Sequence, residues 1–577
     1  MNQWAAWALA ALAIWMLISG LDDLLIGFVS LFVKGCELPL LPEMSSIPER
    51  RIAILVPLWH EHGVIGRMLD RNVAAIDYSS YDVFVGVYPN DALTVRAVQQ
   101  AASRHARVHV AMVPHHGPTS KGDCLNAIFA ELRSYEQREG VRFETVVTHD
   151  AEDVIHAQSL RLINWYARQY AMVQIPVLAL ETPALEFTHG LYCDDFAESQ
   201  TKDIPVRQRL GGFLPSSGVG TGFERAALER LAASRDGKIF SPEALTEDYE
   251  NGFALHALGY RQIFLPVRFA GGKPVATREY FPRNLRSAVR QRSRWVAGIV
   301  LQGWQRHGWR VPVWQMYWFW RDRKSLIGNL LSPVTNVLFA CGLAGWRIEV
   351  AGPRWLPRAC GLLLANAVAQ IVLRVRASAR VYGWRHAAGV PLRILWGNAV
   401  NFLATAAALR QFTAAALRNR APAWNKTEHV YPPMEQHRPL LGELLVRMKA
   451  VPLPVVETAL AAKRGGMRLG EYLVQSRHLT EAKLYEALGT QAGIPAGAPP
   501  VQEVNASIAH TLPGEAVRRW RVLPYRVQDG QLLVATTEVP SSAMTEALQQ
   551  MANLELSFRL VRPAELRDLA NGCGVRL

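Results

Sequence analysis

The stretch Thr145-Val146-Val147-Thr148-His149-Asp150-Ala151-Glu152-Asp153 sets a short β-branched run directly before three acidic side chains. The run has strand character, so the carboxylates fall at a strand's C-terminal end. Acids this close repel one another unless they share a cation, and hard carboxylate oxygens suit Mg²⁺ or Mn²⁺ bridging a diphosphate. The plain alternative is an acidic loop or a helix cap. Upstream, Ile52–Pro57, Asp82–Tyr88 and Val108–Val113 are apolar runs of the same length class, and Glu144–Thr148 completes the series. Helical patterns over Gly66–Ile76, Leu93–Arg104 and Lys121–Arg138 separate them. This alternation predicts βαβ units and a mostly parallel sheet covered on both faces.

Outside residues 48–310 the character changes. Trp4–Gly20 is almost unbroken apolar sequence, followed by Asp22-Asp23 and a second apolar run, Leu24–Val33. Nothing basic precedes Trp4 and no small-residue cleavage pattern follows, so residues 1–34 read as an uncleaved transmembrane helix. Lys34, Arg50 and Arg51 mark its cytoplasmic end, with the Asp pair at the interface. Residues 311–420 begin with the basic flank Arg321–Lys324. Leu326–Trp346 then reads as a membrane helix whose Asn329, Pro333 and Asn336 need neighbouring helices to satisfy them. Leu356–Val375 is the return helix, and Arg374, Arg376, Arg380 and Arg385 crowd its cytoplasmic side. Pro391–Phe412, carrying Arg393, Asn398, Asn401 and Arg410, reads as an amphipathic helix lying at the interface, with a spanning helix as the alternative. The chain has 577 residues, a net charge of +14 and half of its residues hydrophobic. It holds no zinc-finger spacing and no Lys-rich run, and its Arg residues gather beside apolar segments. The basic balance therefore points to a lipid bilayer and away from a nucleic-acid polymer. Cys36, Cys124, Cys193, Cys341, Cys360 and Cys573 form no CxxC pair and read as free thiols in a reducing compartment.

Two further motifs follow the acidic one. Thr246-Glu247-Asp248 offers a carboxylate able to take a proton from an acceptor hydroxyl, or simply the start of a helix capped by Thr246. Gln291-Arg292-Ser293-Arg294-Trp295 ends an Arg-rich run with Arg283, Arg286 and Arg290. Arg294 suits phosphate or an acidic partner and Trp295 offers a flat face to a sugar, while a basic helix on lipid headgroups is the alternative.

In this order the three motifs, followed by membrane helices, resemble glycosyltransferase family two. Ile54–Pro57 with Glu61 resembles that family's first strand and nucleotide loop. Asn90-Asp91 falls where the family binds the nucleotide, and Lys121-Gly122-Asp123-Cys124-Leu125-Asn126 resembles its K-x-x-x-L-N segment. The resemblance implies an α/β GT-A (Rossmann-like) domain over 48–310, a divalent ion and an inverting single displacement. It places Pro57, Glu61, Asn90, Asp91, Lys121, Asp123 and Asp150 on the nucleotide-sugar and Asp150, Glu152 and Asp153 around Mg²⁺ or Mn²⁺. Asp248, beside Glu247, becomes the base, and Gln291, Arg294 and Trp295 bind donor diphosphate and acceptor. The metal motif departs from a plain DxD, because it reads Asp-Ala-Glu followed by Asp153.

Residues 421–437 are linker-like, and 438–577 return to soluble character with an internal repeat. Leu440-Leu441-Gly442-Glu443-Leu444-Leu445-Val446 recurs as Arg468-Leu469-Gly470-Glu471-Tyr472-Leu473-Val474, and the segment at Glu457 recurs at Tyr485 with the same offset. Val522–Tyr525 and Gln531–Ala535 flank Asp529-Gly530, a hairpin signal. Arg468, Leu469, Gly470, Leu473, Leu484, Leu488 and Gln491 resemble the pattern of the MshEN family. That implies a small α+β domain in which Arg468 pairs with or stacks on a guanine or phosphate of cyclic di-GMP, with the leucines against the guanine faces. Arg477 stands where the pattern has Gly, and the first repeat has Leu440 in place of Arg and Lys463 in place of Gln. A small helical docking module is the alternative.

Taken together, the resemblances imply a multi-pass enzyme of the bacterial inner membrane with its catalytic and C-terminal domains cytoplasmic. It takes a UDP-sugar, by resemblance a UDP-N-acetylhexosamine, adds it to a glycan acceptor of a secreted polysaccharide, and answers to cyclic di-GMP as activator. An outer-membrane export partner is implied. The alternatives are a single-addition transferase on a lipid-linked acceptor, favoured by the few membrane helices, and a non-enzymatic receptor or scaffold.

Overall fold

The computed structural model describes the chain apart from residues 1–2, 34, 36, 271–272, 310, 345–352, 418–430, 432–440, 449, 463–466, 493, 529, 553 and 576–577. Cys36, Lys463 and nearly all of the expected linker thus lie outside the described residues; Cys124, Cys193, Cys341, Cys360 and Cys573 are free thiols. The chain divides into two compact units, Met1–Pro433 and Met434–Leu577.

In the first unit, helices α1 (Gln3–Ser30) and α2 (Leu41–Ser46) precede an alternating series. It runs β1 (Ile52–Pro57), α3 (Ile65–Ala75), β2 (Tyr81–Val87), α4 (Ala92–Arg104), β3 (Val108–Met112), α5 (Lys121–Glu139), β4 (Thr145–Thr148) and α6 (Ser159–Tyr166). Then come β5 (Met172–Gln174), β6 (Val177–Ala179), α7 (Phe187–Glu198), α8 (Ile204–Arg209), β7 (Thr221–Glu224), α9 (Arg225–Ala233), α10 (Glu247–Ala257) and β8 (Gln262–Phe264). A seven-stranded sheet has the order β3-β2-β1-β4-β7-β5-β8. Its pairs are parallel except where β7 runs antiparallel between β4 and β5. The unbroken apolar strands follow from burial on both faces. Along β1, Ile52, Ile54 and Val56 enter one core with α3, α4 and α6, while Ala53 and Leu55 enter the other with α5 and α9.

Short strands β9 (Phe269–Ala270), β10 (Lys273–Pro274) and β11 (Thr277–Glu279) lead to α11 (Leu285–Trp295), α12 (Gly303–His307), α13 (Val313–Leu343), α14 (Leu356–Ala387) and α15 (Val390–Leu417). Among the described residues, three helical segments are long and apolar enough to cross a membrane: Trp7–Ser30, Leu356–Ala387 and Val390–Ala415. The third contains Pro391–Phe412, the segment expected as an interfacial helix with a spanning helix as the alternative. Three of its polar residues bond to protein, while Arg410 is exposed. Arg393 is fully buried against Asp194 of α7, Asn398 donates to Asn336 of α13, and Asn401 accepts from Arg292 of α11. On α13, Asn329 likewise donates to Thr405 of α15, as a polar residue in an apolar setting requires.

The charges at the base of these helices form a chain of alternating sign. Asp22 and Asp23 of α1 meet Arg321 and Lys324 of α13. Arg321 also reaches Asp203, which faces Lys202, which pairs with Glu198 at 2.5 Å. Glu198 and Asp195 share Arg374 of α14, and Asp195 also holds Arg292 of α11 at 2.5 Å. Beside this chain the Asp194 carboxylate accepts from Arg393 at 2.6 Å and from Ser378 at 2.8 Å.

In the second unit, α16 (Leu441–Arg447) and α17 (Leu453–Ala462) are followed, each 28 residues on, by α18 (Leu469–Gln475) and α19 (Glu481–Ala492). Equivalent repeat positions face one core, Leu445 with Leu473, Val456 with Leu484 and Ala459 with Ala487. Arg477 has φ +58°, the left-handed conformation for which glycine is the unstrained residue. After short helices α20 (Ala506–Ala509) and α21 (Gly514–Trp520), β12 (Val522–Gln528) and β13 (Gln531–Thr536) form the expected hairpin. Helix α22 (Ser542–Met551) leads to β14 (Glu555–Leu560), which joins β13 in parallel, and α23 (Pro563–Gly572) closes the unit.

Asp194→Ala is expected to strip Arg393 of its buried counter-charge and cost about 3–5 kcal/mol. Thermal unfolding of the detergent-solubilised protein checks this, and Asp194→Ala/Arg393→Met restores most of the loss.

Candidate active site

The acidic motif leaves β4 at the C-terminal edge of the sheet. Its members part company at once. Asp153 is fully buried, and its Oδ2 lies 2.7 Å from His149 Nδ1 and accepts the Asp150 amide at 3.0 Å. Burial, reinforced by the charges of Asp150 and Glu152, lifts Asp153 well above the usual carboxyl range, and burial drops His149 to about 3. His149 is therefore neutral at pH 7, and its contact with the buried Asp153 shapes the loop. Glu152 is also buried. Asp150 alone of the three keeps substantial exposure, 29% of its side chain.

Asp150 meets Lys121 at the first turn of α5, whose Nζ lies 2.7 and 2.8 Å from its two oxygens. The same ammonium is 4.0 Å from Glu247 at the start of α10. Burial opposes the Lys121 charge, but Asp150, Glu247 and Asp248 more than offset it and hold its pKa above the usual value. Burial, then the neighbouring Asp248 charge, raises Glu247 to about 7, with Lys121 pulling the other way; burial raises Asp248 as well.

A cleft of about 780 Å³ opens over this cluster, lined among others by His115, His116, Lys121, Asp123, Glu243, Glu247, Asp248, Arg294 and Trp295. Positions 291, 294 and 295 share one helical face by their spacing. Arg294 and Trp295 line the cleft, whereas the Gln291 amide oxygen is buried with no hydrogen-bond donor among the described residues. Trp295 stands edge-on to Tyr192, with ring centroids 6.0 Å apart.

The remaining nucleotide candidates gather beside the cleft, at the ends of β1 and β2. Pro57 closes β1. Asp91 caps α4 and accepts the His60 amide at 2.6 Å, and despite burial the hydrogen bonds from Thr94 and His60 hold it below the usual range. The buried Glu61 donates its amide N–H to the Thr94 hydroxyl, and Asn90 exchanges two hydrogen bonds with Gly117. Tyr88, Thr119 and Asp123 then link this group to the cleft at 2.6 and 2.7 Å.

Several residues of the site carried no readable signal. The TED segment is clamped from behind by Gln302, which accepts from the Leu245 amide at 2.9 Å and donates to the Glu243 carbonyl at 2.8 Å. Tyr249 donates to Asp322 of α13 at 2.7 Å, and Arg207 pairs with the same carboxylate. Arg292, inside the QxxRW motif, turns from the cleft to Asp195 and Asn401. In the second unit Arg468 is exposed, and Leu469, Leu488 and Gln491 are half-buried. Leu473 and Leu484, expected against a guanine, turn into the core, and Gly470 lies under Leu484.

Residues 48–298 match the family described as glycosyltransferase like family 2, and residues 492–574 match the MshEN domain, just beyond the Arg468–Gln491 pattern. Bacteriophage adsorption protein B of Escherichia coli (strain K12) is 34% identical over 594 aligned residues, covering 95% of this chain and 79% of its own. The chain belongs to the bacteriophage adsorption protein B family. Bacteriophage N4 adsorption protein B of Escherichia coli O157:H7 matches to the same extent. The mannosyltransferase PcManGT from Pyrobaculum calidifontis, solved with GDP-Man and Mn²⁺, is 19% identical and covers 67% of this chain and 99% of its own, with a TM-score of 0.39. The structure of MshE with cdg is 28% identical and covers 23% and 96%, with a TM-score of 0.21. The chain is thus a glycosyltransferase of family two and a membrane protein, with an MshEN domain at its C-terminal end.

Lys121→Met tests the cluster. Glu247 already sits above its unfolded value, so the wild type loses stability as pH rises toward about 7. Without the ammonium both carboxyls rise further, and the loss continues above that point. The unfolding midpoints of variant and wild type are expected to diverge progressively between pH 6 and 9. A constant gap would contradict this account.

Proposed function

We propose that the chain is an inverting, divalent-ion-dependent transferase that takes a UDP-sugar from the cytoplasm and extends a secreted polysaccharide, with cyclic di-GMP switching it on. The observation that carries this reading is the meeting of Lys121, Glu247, Asp248, Arg294 and Trp295 around one cleft, with Asp150 paired to Lys121. Lys121 and Arg294 bind the donor diphosphate, with Pro57, Glu61, Asn90, Asp91 and Asp123 on the nucleotide side. Asp248 takes the proton from the acceptor hydroxyl as its oxygen attacks the anomeric carbon opposite the departing UDP, which inverts that centre. Trp295 gives the acceptor sugar a flat face, and Gln291 supports the same helix.

The donor chemistry of the acidic motif fits a hard cation. Asp150 is the motif's carboxylate that opens outward, and Glu152 stands next to it, whereas Asp153 is engaged with His149. Mg²⁺ or Mn²⁺ held there with the diphosphate supplies neutralisation of the leaving group's charge.

The Arg-rich cytoplasmic ends of the long helices support an inner-membrane enzyme with both units on the cytoplasmic side. An outer-membrane partner then carries the product onward. The exposed Arg468, with Leu469, Leu488 and Gln491, forms the cyclic di-GMP face, while Gly470, Leu473 and Leu484 support it from the core. A second reading, single addition to a lipid-linked acceptor, is favoured by the presence of only three sufficiently long apolar helices among the described residues.

A screen of UDP-sugars, beginning with UDP-N-acetylhexosamines, on purified membranes decides between the two readings by product length. Transfer is expected to rise with cyclic di-GMP and to stop when EDTA removes divalent ions. Arg468→Ala weakens cyclic di-GMP binding by on the order of 1–3 kcal/mol, read by calorimetry. Asp248→Asn lowers turnover by about 10²–10⁴-fold with UDP affinity held. Unchanged glycan output from that variant would leave only a non-enzymatic role.

A further inference from the structure

We infer that Gly218 is a positioning residue for the catalytic carboxylate, and that the turn Ser216–Gly220 is the platform against which Asp248 is held. The inference rests on the assignment of Asp248 as base. Gly218 has φ +76°, and a Cβ built there would lie 2.7 Å from Asp248 Oδ2 and 3.4 Å from Lys121 Nζ. The first distance is well short of ordinary contact at about 3.5 Å, so only a residue without a side chain lets the carboxylate occupy its place. One helical turn further along α10, Gly252 lies directly on the Leu214 carbonyl and the Ser216 amide. Positions 248 and 252 share one helix face. The same face is thus brought against the same segment twice, both times through a glycine.

The segment is built to resist being pushed. Gln174, at the end of β5, is 1% exposed and serves as its internal frame. Its Oε1 accepts from the Ser217 amide at 2.9 Å and the Thr221 hydroxyl at 2.8 Å, and its Nε2 donates to the carbonyls of Ile175 at 2.8 Å and Val219 at 2.9 Å. Ser216 Oγ accepts from the Gly218 amide at 3.1 Å and pairs with Thr221. A methyl group at Gly218 therefore moves Asp248 more easily than it moves the turn.

Gly211 supplies the control. Its φ is +74° and a Cβ there meets nothing within 4 Å, so Gly211→Ala carries the same backbone strain without touching Asp248. In the full-length protein, Gly218→Ala is expected to lower kcat about a hundredfold, as misplacement of a reacting group by about 1 Å does. UDP affinity by calorimetry stays within about twofold, and the pH dependence of kcat shifts. Gly211→Ala stays close to wild type in all three. Equal kcat losses in the two alanine variants, or a Gly218→Ala defect confined to KM, would overturn the inference. If Gly218→Ala does not fold, Gln174→Glu, which keeps the acceptor and loses both donated bonds, must show the same kcat loss with UDP affinity retained. If the wild type transfers from no UDP-sugar, the proposed donor fails separately. The positioning is then judged by the structures of the two variants, in which Asp248 must move in Gly218→Ala and stay in Gly211→Ala.

Discussion

A buried charge is tolerated only beside its opposite, and where the catalytic unit meets the long helices the fold is organised around that requirement. The alternating series from Asp22 and Asp23 through Arg321, Lys202, Glu198, Arg374 and Asp195 to Arg292 touches α1, α7, α11, α13 and α14. Each residue has its partner on another element or in the adjoining turn. Removing one leaves a desolvated charge behind, so the series fixes these elements relative to one another more strictly than apolar packing does. Its last member lies inside the QxxRW motif. The helix carrying Arg294 and Trp295 is therefore set by the same balance of charges that anchors the membrane helices.

The cleft repeats this logic on a smaller scale. Lys121 holds three carboxyls within reach of one another, and Glu247 is raised to about 7 because burial and the Asp248 charge outweigh the ammonium. The buried His149–Asp153 pair behind it supports the turn that presents Asp150.

The parallel sheet was legible because strands buried on both faces must be apolar throughout, as β1 and β2 are. The three motifs were legible because their order is informative where each alone is not. Other features look ordinary in one dimension. Arg292 resembles any arginine of its run, and only the fold reveals that it faces Asp195. Arg393, Asn398 and Asn401 read as a wet face on α15 because a sequence pattern does not distinguish water from a polar protein partner. Leu473 and Leu484 follow a ligand-binding pattern and a core pattern equally well, since both call for leucine at helical spacing. Ser216–Gly220 reads as a glycine-rich turn, and nothing local indicates that α10 rests on it.

Asp322 has a consequence for how this enzyme can be divided. One carboxylate on α13 receives both Arg207 and the hydroxyl of Tyr249, the residue after Asp248. The helix that bears Asp248 is thus fastened to a segment that sequence alone assigns to the membrane part. A catalytic fragment cut before α13 would lose that fastening and expose two buried donors. A chimera that exchanges sugar-transfer domains between relatives must therefore carry the first turns of α13 with them. The functional module extends past the boundary at which its family resemblance stops.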